Sequence, residues 1–293
     1  MPGQQRSLSE LELVRRLKGR LGKASGVVRG IGDDTAVFRP TRKGLLELFT
    51  CDGILEGVHF TKNLSPFAIG RKAMACNVSD IAAMGGVPTY AVIGLGLPRH
   101  YPARKVDEIY RGLNAAAKPF GVAIVGGDTV LSPSGVCVWV SLLGRVEPKL
   151  LKLRSAARPG DAVFVTGSLG GSILGKHAAF TPRLREARYL AAHFPVHAMM
   201  DLSDGLAMDL GRICAESRVG ARVDADALPV SAAAKKLATK VRPAWQRAAG
   251  DGEDYELLFT VPAASASRIA KAFGRKFPLK LTWVGEIVSS PKT

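Results

Sequence analysis

The sequence predicts an α/β protein of mixed α+β character, built as two domains. Three observations predict it. Strand-like and helix-like apolar segments alternate along the chain. Its 293 residues exceed what one hydrophobic core comfortably serves. A polar stretch from Glu147 to Gly160, carrying Pro148 and Pro159, divides it near the middle. The expected units are residues 1–147 and 148–293, an N-terminal mixed-sheet domain and a C-terminal α/β domain.

The N-terminal elements follow in order. Ser7-Leu8-Ser9-Glu10 reads as a capping box opening a helix to about Leu21, with Leu8, Leu11, Val14 and Leu17 at helical spacing. A strand runs from Leu45 to Cys51 and is expected to end at Asp52-Gly53. Ser65-Pro66 starts a long helix that stops at Gly85-Gly86. Val87 to Leu97 reads as a strand and Ala103 to Phe120 as a helix behind Pro102. Strands follow at 122–125 and 136–146. In the second half a strand over 162–166 leads into Gly167-Ser168-Leu169-Gly170-Gly171, a loop of the kind that can cradle phosphate at a helix start. Helices are expected near 170–179, 182–193 and 205–217. Strands at 255–261 and 281–288 flank a helix at 263–273.

Composition narrows the function. With 47% hydrophobic residues the chain can fill real cores. No apolar run reaches the roughly 18 residues of a membrane span, and the start lacks a secretion signal, so a soluble, cytoplasmic protein with no membrane partner is expected. Cys51, Cys76, Cys137 and Cys214 form no C-x-x-C pair and are expected to be small buried hydrophobes. The net charge of +16 suits anionic partners. The basic residues are scattered, with no basic tail and no interleaved aromatics, so nucleic acid is not the expected partner.

Against this basic background, the acids gather in glycine-flanked motifs. These are Gly32-Asp33-Asp34, Thr50-Cys51-Asp52-Gly53, Asn77-Val78-Ser79-Asp80, Gly126-Gly127-Asp128-Thr129, Asp201-Leu202-Ser203-Asp204-Gly205 and Gly250-Asp251-Gly252-Glu253-Asp254. Carboxylates at such positions converge readily on a hard cation, because Mg²⁺ takes oxygen ligands. Glycine beside them lets the backbone approach a phosphate. Each motif alone is also an ordinary turn or cap. Asp80 stands out, because it sits in an apolar helix where a carboxylate needs a partner. His59, close after Asp52, and Arg145, on an apolar strand, are further polar candidates. There is no G-x-x-x-x-G-K-[ST] pattern and no kinase glycine loop with an H-R-D partner.

In order along the chain, GIGDD (30–34), TCDGILEGVHF (50–60), RKAMACNVSDIAAMGGVP (71–88), GGDT (126–129), VTGSLGGS (165–172), AMMDLSDGLAMDL (198–210) and GDGEDYELLFT (250–260) resemble the thiamine-monophosphate kinase family, of the aminoimidazole-ribonucleotide-synthetase-like ATP-binding superfamily. The resemblance implies a homodimer formed through strands of the N-terminal domain. It also implies direct, Mg²⁺-assisted transfer of a phosphoryl group from ATP to thiamine monophosphate, giving thiamine diphosphate, with no covalent nucleophile. It implies several Mg²⁺ ions on Asp34, Thr50, the Cys51 carbonyl, Asp52, Asp80, Asp128, Asp201 and Asp204, and leaves room for a monovalent cation. Tyr110, Gly127, Asp128, Arg145 and Ser203 are the implied ATP contacts, and His59 and Glu253 the implied substrate contacts. The family's substrate-stacking aromatic beyond the Val284-Gly285-Glu286-Ile287 motif has no match here, and Trp283 reads as strand packing. The alternatives are a sister enzyme of the superfamily acting in purine biosynthesis and a non-catalytic ATP-binding relative.

Overall fold

The structure is a computed structural model describing residues 26–29, 33–39 and 44–289. The helix expected from Ser7 lies outside the described residues, as does Gly32 of the first acidic motif.

Strands β1 (Val27–Arg29), β2 (Ala36–Phe38), β3 (Leu46–Leu55), β4 (Val87–Leu97), β5 (Ala123–Leu131) and β6 (Cys137–Val146) form one sheet in the order β1-β2-β3-β6-β4-β5. Among the described strands of this sheet β4 and β5 alone pair in parallel, and the helix between them makes the crossover that a parallel pair needs. Helix α1 (Pro66–Ala83) is capped by Ser65, whose hydroxyl accepts the Ala68 N–H at 3.2 Å, and has Pro66 in its first turn. It lies across the sheet with α2 (Ala103–Ala117) beside it. The two helices cross at glycines: a Cβ on Gly70 would stand 1.9 Å from the Ile109 carbonyl oxygen, and one on Gly112 1.9 Å from that of Phe67.

Alternation along β6 sets the two faces of the sheet. Val138, Val140, Leu142 and Val146 are buried, whereas Trp139 and Leu143 are exposed. β3 does not end at Asp52-Gly53 as expected but continues to Leu55. Gly53 pairs with Trp139, and a Cβ there would fall 2.2 Å from the indole nitrogen. The glycine makes room for a ring rather than a turn. β5 likewise runs through the whole Gly126-Gly127-Asp128-Thr129 motif.

The second sheet contains β7 (Asp161–Thr166), β8 (Met199–Asp201), β9 (Val219–Val223), β10 (Leu257–Pro262) and β11 (Leu281–Ser289), ordered β8-β10-β7-β11-β9 and antiparallel throughout. Helices α3 (Lys176–Ala179), α4 (Leu184–His193), α5 (Leu206–Ser217), α6 (Ala232–Leu237), α7 (Ala244–Gly250) and α8 (Ala266–Lys276) surround it. β7 is buried along its whole length because it is covered on both faces. Phe164 packs with Phe259, Ile269 and Phe273, whereas Val163 and Val165 pack with Leu206, Leu210 and Ile213. Trp283 on β11 stacks on Phe164 with 6.1 Å between centroids. The helix expected over 170–179 is reduced to a 3₁₀ turn, Ser172–Leu174, and α3. Gly170, Gly171 and Gly175 take positive φ there and interrupt it.

The cysteine expectation holds for Cys76 alone. Cys51 is exposed, Cys137 and Cys214 are half-buried, and all four are free. Cys51 departs from it because it lies on the open sheet face opposite Ser141. Among the described residues no helix is long and apolar enough to cross a membrane.

Candidate active site

Helix α1 organises the site. It is buried nearly all round, so its polar side chains must find partners inside the protein. Asn77 accepts the Asp52 N–H at 3.0 Å and donates to the Ala73 carbonyl at 3.0 Å. Ser79 donates to Asp201 Oδ2 at 2.5 Å. Asp80 accepts the Thr50 hydroxyl at 2.7 Å. Lys72 reaches the loop that holds Glu253. The helix is thus keyed to β3 on one side and to the second sheet on the other.

At its C-terminal end Asp34, Asp80 and Asp201 each offer a carboxylate oxygen, all within 4.8 Å of one another. Burial pushes both Asp80 and Asp201 well above the usual carboxylate range. The neighbouring charges add to this, Asp52 first for Asp80 and Asp34 first for Asp201. Asp33 is raised to about 6 by burial and by Asp34, against the Arg154 N–H it accepts. Arg154 also donates to Asp34 at 2.6 Å, which offsets part of the negative charge. Crowded carboxylates of this kind favour a divalent cation, and an all-oxygen donor set with a hydroxyl beside it fits Mg²⁺.

The structure brings together only part of the sequence-derived metal set. Thr50 and Asp52, two apart on β3, lie on its helix-facing side beside the cluster. The Cys51 side chain lies on the other face, accepting a hydrogen bond from Ser141 at 3.2 Å. Asp204 stands outside the trio of converging carboxylates and is paired with Arg212 at 2.5 Å. Arg212 also holds Asp209, which burial raises to about 7. Asp128 is exposed on β5, where its carboxylate accepts the Thr129 N–H. Its neighbour Gly127 has to be glycine, because a Cβ there would meet the Ile93 carbonyl oxygen at 2.0 Å. Tyr110 lies half-buried on α2 and Arg145 exposed on β6, next to Glu47 in register. The Ser203 carbonyl accepts the Glu253 N–H at 2.7 Å.

His59 and Glu253 come from different domains yet line one cavity of about 410 Å³, with Val58, Leu64, Ile173 and His177. His59 Nδ1 accepts the Leu55 N–H at 3.0 Å, closing the turn that follows β3. Glu253 and Tyr255 both have left-handed backbones, φ 61° and 50°, in the loop before β10. For such side chains this conformation is strained, and the loop is held by many bonds. Asp254 accepts the Gly170 N–H, Asp251 the Gly171 N–H, and the Gly252 carbonyl the Ser172 hydroxyl. These bonds correct the phosphate-cradle reading of the 167–171 loop: two of its N–H donors are taken by aspartates.

Sequence reasoning missed Arg154, His177 and Lys72. Lys72 carried a usable signal, since it precedes Cys76 and Asp80 at intervals of four in an apolar helix. Arg154 and His177 carried none, because their partners are distant in the chain.

Comparison with known proteins gives a consistent result. The family model described as AIR synthase related protein, N-terminal domain, matches residues 32–146, and that of the C-terminal domain matches 158–293. The thiamine-monophosphate kinase of Rhodopirellula baltica is 39% identical over 95% of this chain and 89% of that protein. The crystal structure of thiamine-monophosphate kinase from Stenotrophomonas maltophilia K279a superposes with a TM-score of 0.77 at 32% identity, covering 97% of this chain and 95% of that one. AaThiL complexed with AMPPCP and TMP superposes with a TM-score of 0.83 at 30% identity, covering 99% and 94%.

Proposed function

The chain belongs to the thiamine-monophosphate kinase family, with the two AIR synthase related domains, and we propose on that premise that it transfers the γ-phosphoryl group of ATP to thiamine monophosphate. The convergence of Asp34, Asp80 and Asp201 carries the reading, and the same helix α1 that bears Asp80 also bears Lys72, which contacts His59 and Glu253 of the cavity. Two anionic phosphates must be brought together against their repulsion, and positioning with charge neutralisation is most of what phosphoryl transfer requires.

Asp34, Asp52, Asp80 and Asp201, with Thr50, would hold Mg²⁺, which when bound supplies charge neutralisation on the phosphates. Asp128, Asp204 and the Cys51 carbonyl complete the proposed set. Tyr110, Gly127, Asp128, Arg145 and Ser203 are assigned to ATP. His59 and Glu253 are assigned to the acceptor. No side chain needs to act as a covalent nucleophile, because the acceptor phosphate oxygen attacks directly. The working units are residues 1–147 and 148–293, with the site at their seam.

The protein is further proposed to act as a homodimer. The sheet face opposite α1 leaves Phe49, Tyr90, Val92, Trp139 and Leu143 at 40–55% exposure, and β5 at the sheet edge exposes Val125, Val130 and Leu131. Apolar faces and open edges of this kind call for a partner. The function is tested by incubating purified protein with ATP, Mg²⁺ and thiamine monophosphate and separating products by chromatography. Thiamine diphosphate and ADP are expected in equal amounts; ADP without thiamine diphosphate, or neither, overturns the reading.

A further inference from the structure

Lys72 is fully buried, and an ammonium group in such a place is costly unless every donor is matched. It is matched three times. Nζ donates to the His59 carbonyl at 2.6 Å, to Glu253 Oε1 at 2.5 Å and to His177 Nδ1 at 3.3 Å. These acceptors come from the turn after β3, from the loop before β10 and from α3. The same three segments line the 410 Å³ cavity. Lys72 is not itself a lining residue, but its contacts tie three lining segments together across the domain seam.

The Lys72 contact also favours one tautomer of His177. An ammonium only donates, so the 3.3 Å contact from Lys72 selects the tautomer in which His177 Nδ1 accepts, and Lys72 Nζ is closer than Glu253 Oε2, 3.6 Å from the same nitrogen. Burial and then the Lys72 charge lower the His177 pKa against the opposing pull of the Glu253 carboxylate, which favours the neutral ring. A neutral ring with a bare Nδ1 has its proton on Nε2, on the ring edge turned away from Lys72. His177 and Glu253 both line the cavity, and because Nδ1 faces Lys72 at 3.3 Å and Glu253 Oε2 at 3.6 Å, Nε2–H is the ring's remaining polar group for a ligand. That pairing suits an acceptor bearing both a phosphate and a cationic ring.

We infer that Lys72 is a positioning residue for the phosphoryl acceptor, holding Glu253, the His59 carbonyl and His177 in one arrangement and presenting His177 Nε2–H to the acceptor. The inference rests on the acceptor site assigned under the proposed function. It predicts a split between the two substrates. K72M raises KM for thiamine monophosphate at least tenfold while KM for ATP stays within about twofold. Because Lys72 acts through Glu253, K72M/E253Q loses no more than the worse single variant. His177 supplies an independent arm that leaves Lys72 in place. H177Q puts an amide N–H near the position of Nε2 and keeps KM for the acceptor within about threefold. H177N keeps an acceptor for Lys72 but lacks the outer donor, and raises that KM tenfold.

The experiment is steady-state kinetics on these variants, each checked for native circular dichroism, with both substrates varied. Multiplicative losses in the double variant, an unchanged acceptor KM in folded K72M, or equal behaviour of H177Q and H177N overturns the inference. If K72M does not fold, the two His177 variants decide it. Wild-type protein inactive on thiamine monophosphate overturns the acceptor assignment and the inference with it. Wild-type activity with unaffected variants overturns the inference alone.

Discussion

Replacing Asp80 by asparagine should stabilise the metal-free protein while destroying its response to Mg²⁺. Asp80 lies within 4.8 Å of both Asp34 and Asp201. At an effective dielectric of about 20, two unit charges at that separation repel by about 3.5 kcal/mol. Asp80 takes part in two such pairs. Arg154 offsets part of the charge on Asp34, and the raised pKa values of Asp80 and Asp201 mean that protonation relieves part of the rest. Asparagine keeps an oxygen to accept the Thr50 hydroxyl. A net gain of about 1 kcal/mol or more therefore remains for D80N in EDTA at pH 8. The sign in pH follows from linkage. For a carboxylate whose folded pKa is raised, the stabilising proton is fully held below the ordinary value and lost as pH rises through the raised range. The advantage of D80N in EDTA should thus grow as pH rises. With Mg²⁺ at a hundredfold its dissociation constant, the wild type gains about 2.7 kcal/mol, on the order of 5 °C in melting temperature. D80N should gain little, and its turnover should fall at least a hundredfold. The assay is thermal melting with EDTA and with MgCl₂. A D80N protein less stable than wild type in EDTA, or an equal Mg²⁺ shift in both, would refute the reasoning.

Three further outcomes are expected. Glu256 accepts Thr166, Lys176 and two bonds from Arg183, and those cations hold its pKa down against burial; E256A should cost about 3 kcal/mol, at the low end for a broken buried pair because the cations retain some exposure, and a urea-denaturation loss under about 1 kcal/mol would contradict this. Asp209, at about 7, should make the wild type lose stability relative to D209N as pH rises from about 4 to 7, with no further change above; urea midpoints at pH 5 and pH 8 that differ equally between the two proteins would rule it out. Trp139, 42% exposed on the open sheet face, should report on the proposed dimer. W139E should sediment as a monomer at concentrations where the wild type is dimeric, and an unchanged sedimentation coefficient would exclude that face as the interface.

The fold was legible where its cause is local. α1 is announced by a cap, a proline and a closing glycine pair, and its expected span holds within a residue or two. β4 holds over its full expected range for the same reason. Expectations failed where a distant residue decides. Asp52-Gly53 looks like a turn until Trp139, 86 positions on, is seen to need the space over Gly53. β8, three residues long, has too short a pattern to read. The glycines at 167–171 do serve a tight backbone, as their type suggests, but the anions they meet are the chain's own aspartates.

The same division runs through the site. Asp34, Asp80 and Asp201 were visible because glycine neighbours and an apolar helix are local marks of a carboxylate out of place. What neutralises and orients them was not visible, because those contacts span the chain. Arg154 meets Asp34 across 120 positions, Ser79 meets Asp201 across 122, and Lys72 meets Glu253 across 181. A short motif can say that a buried charge needs a partner. Only the packing of α1 between two sheets says which partner it receives. If α1 sets this geometry, variants at Ser79 should act through Asp201. S79A removes a 2.5 Å donor from a buried carboxylate, which should raise the Asp201 pKa further and weaken Mg²⁺ binding most at low pH, where the proton competes with the metal. Calorimetric titration of MgCl₂ at pH 6 and pH 8 checks this. A loss of affinity equal at the two pH values would show that Ser79 only packs and does not tune the carboxylate.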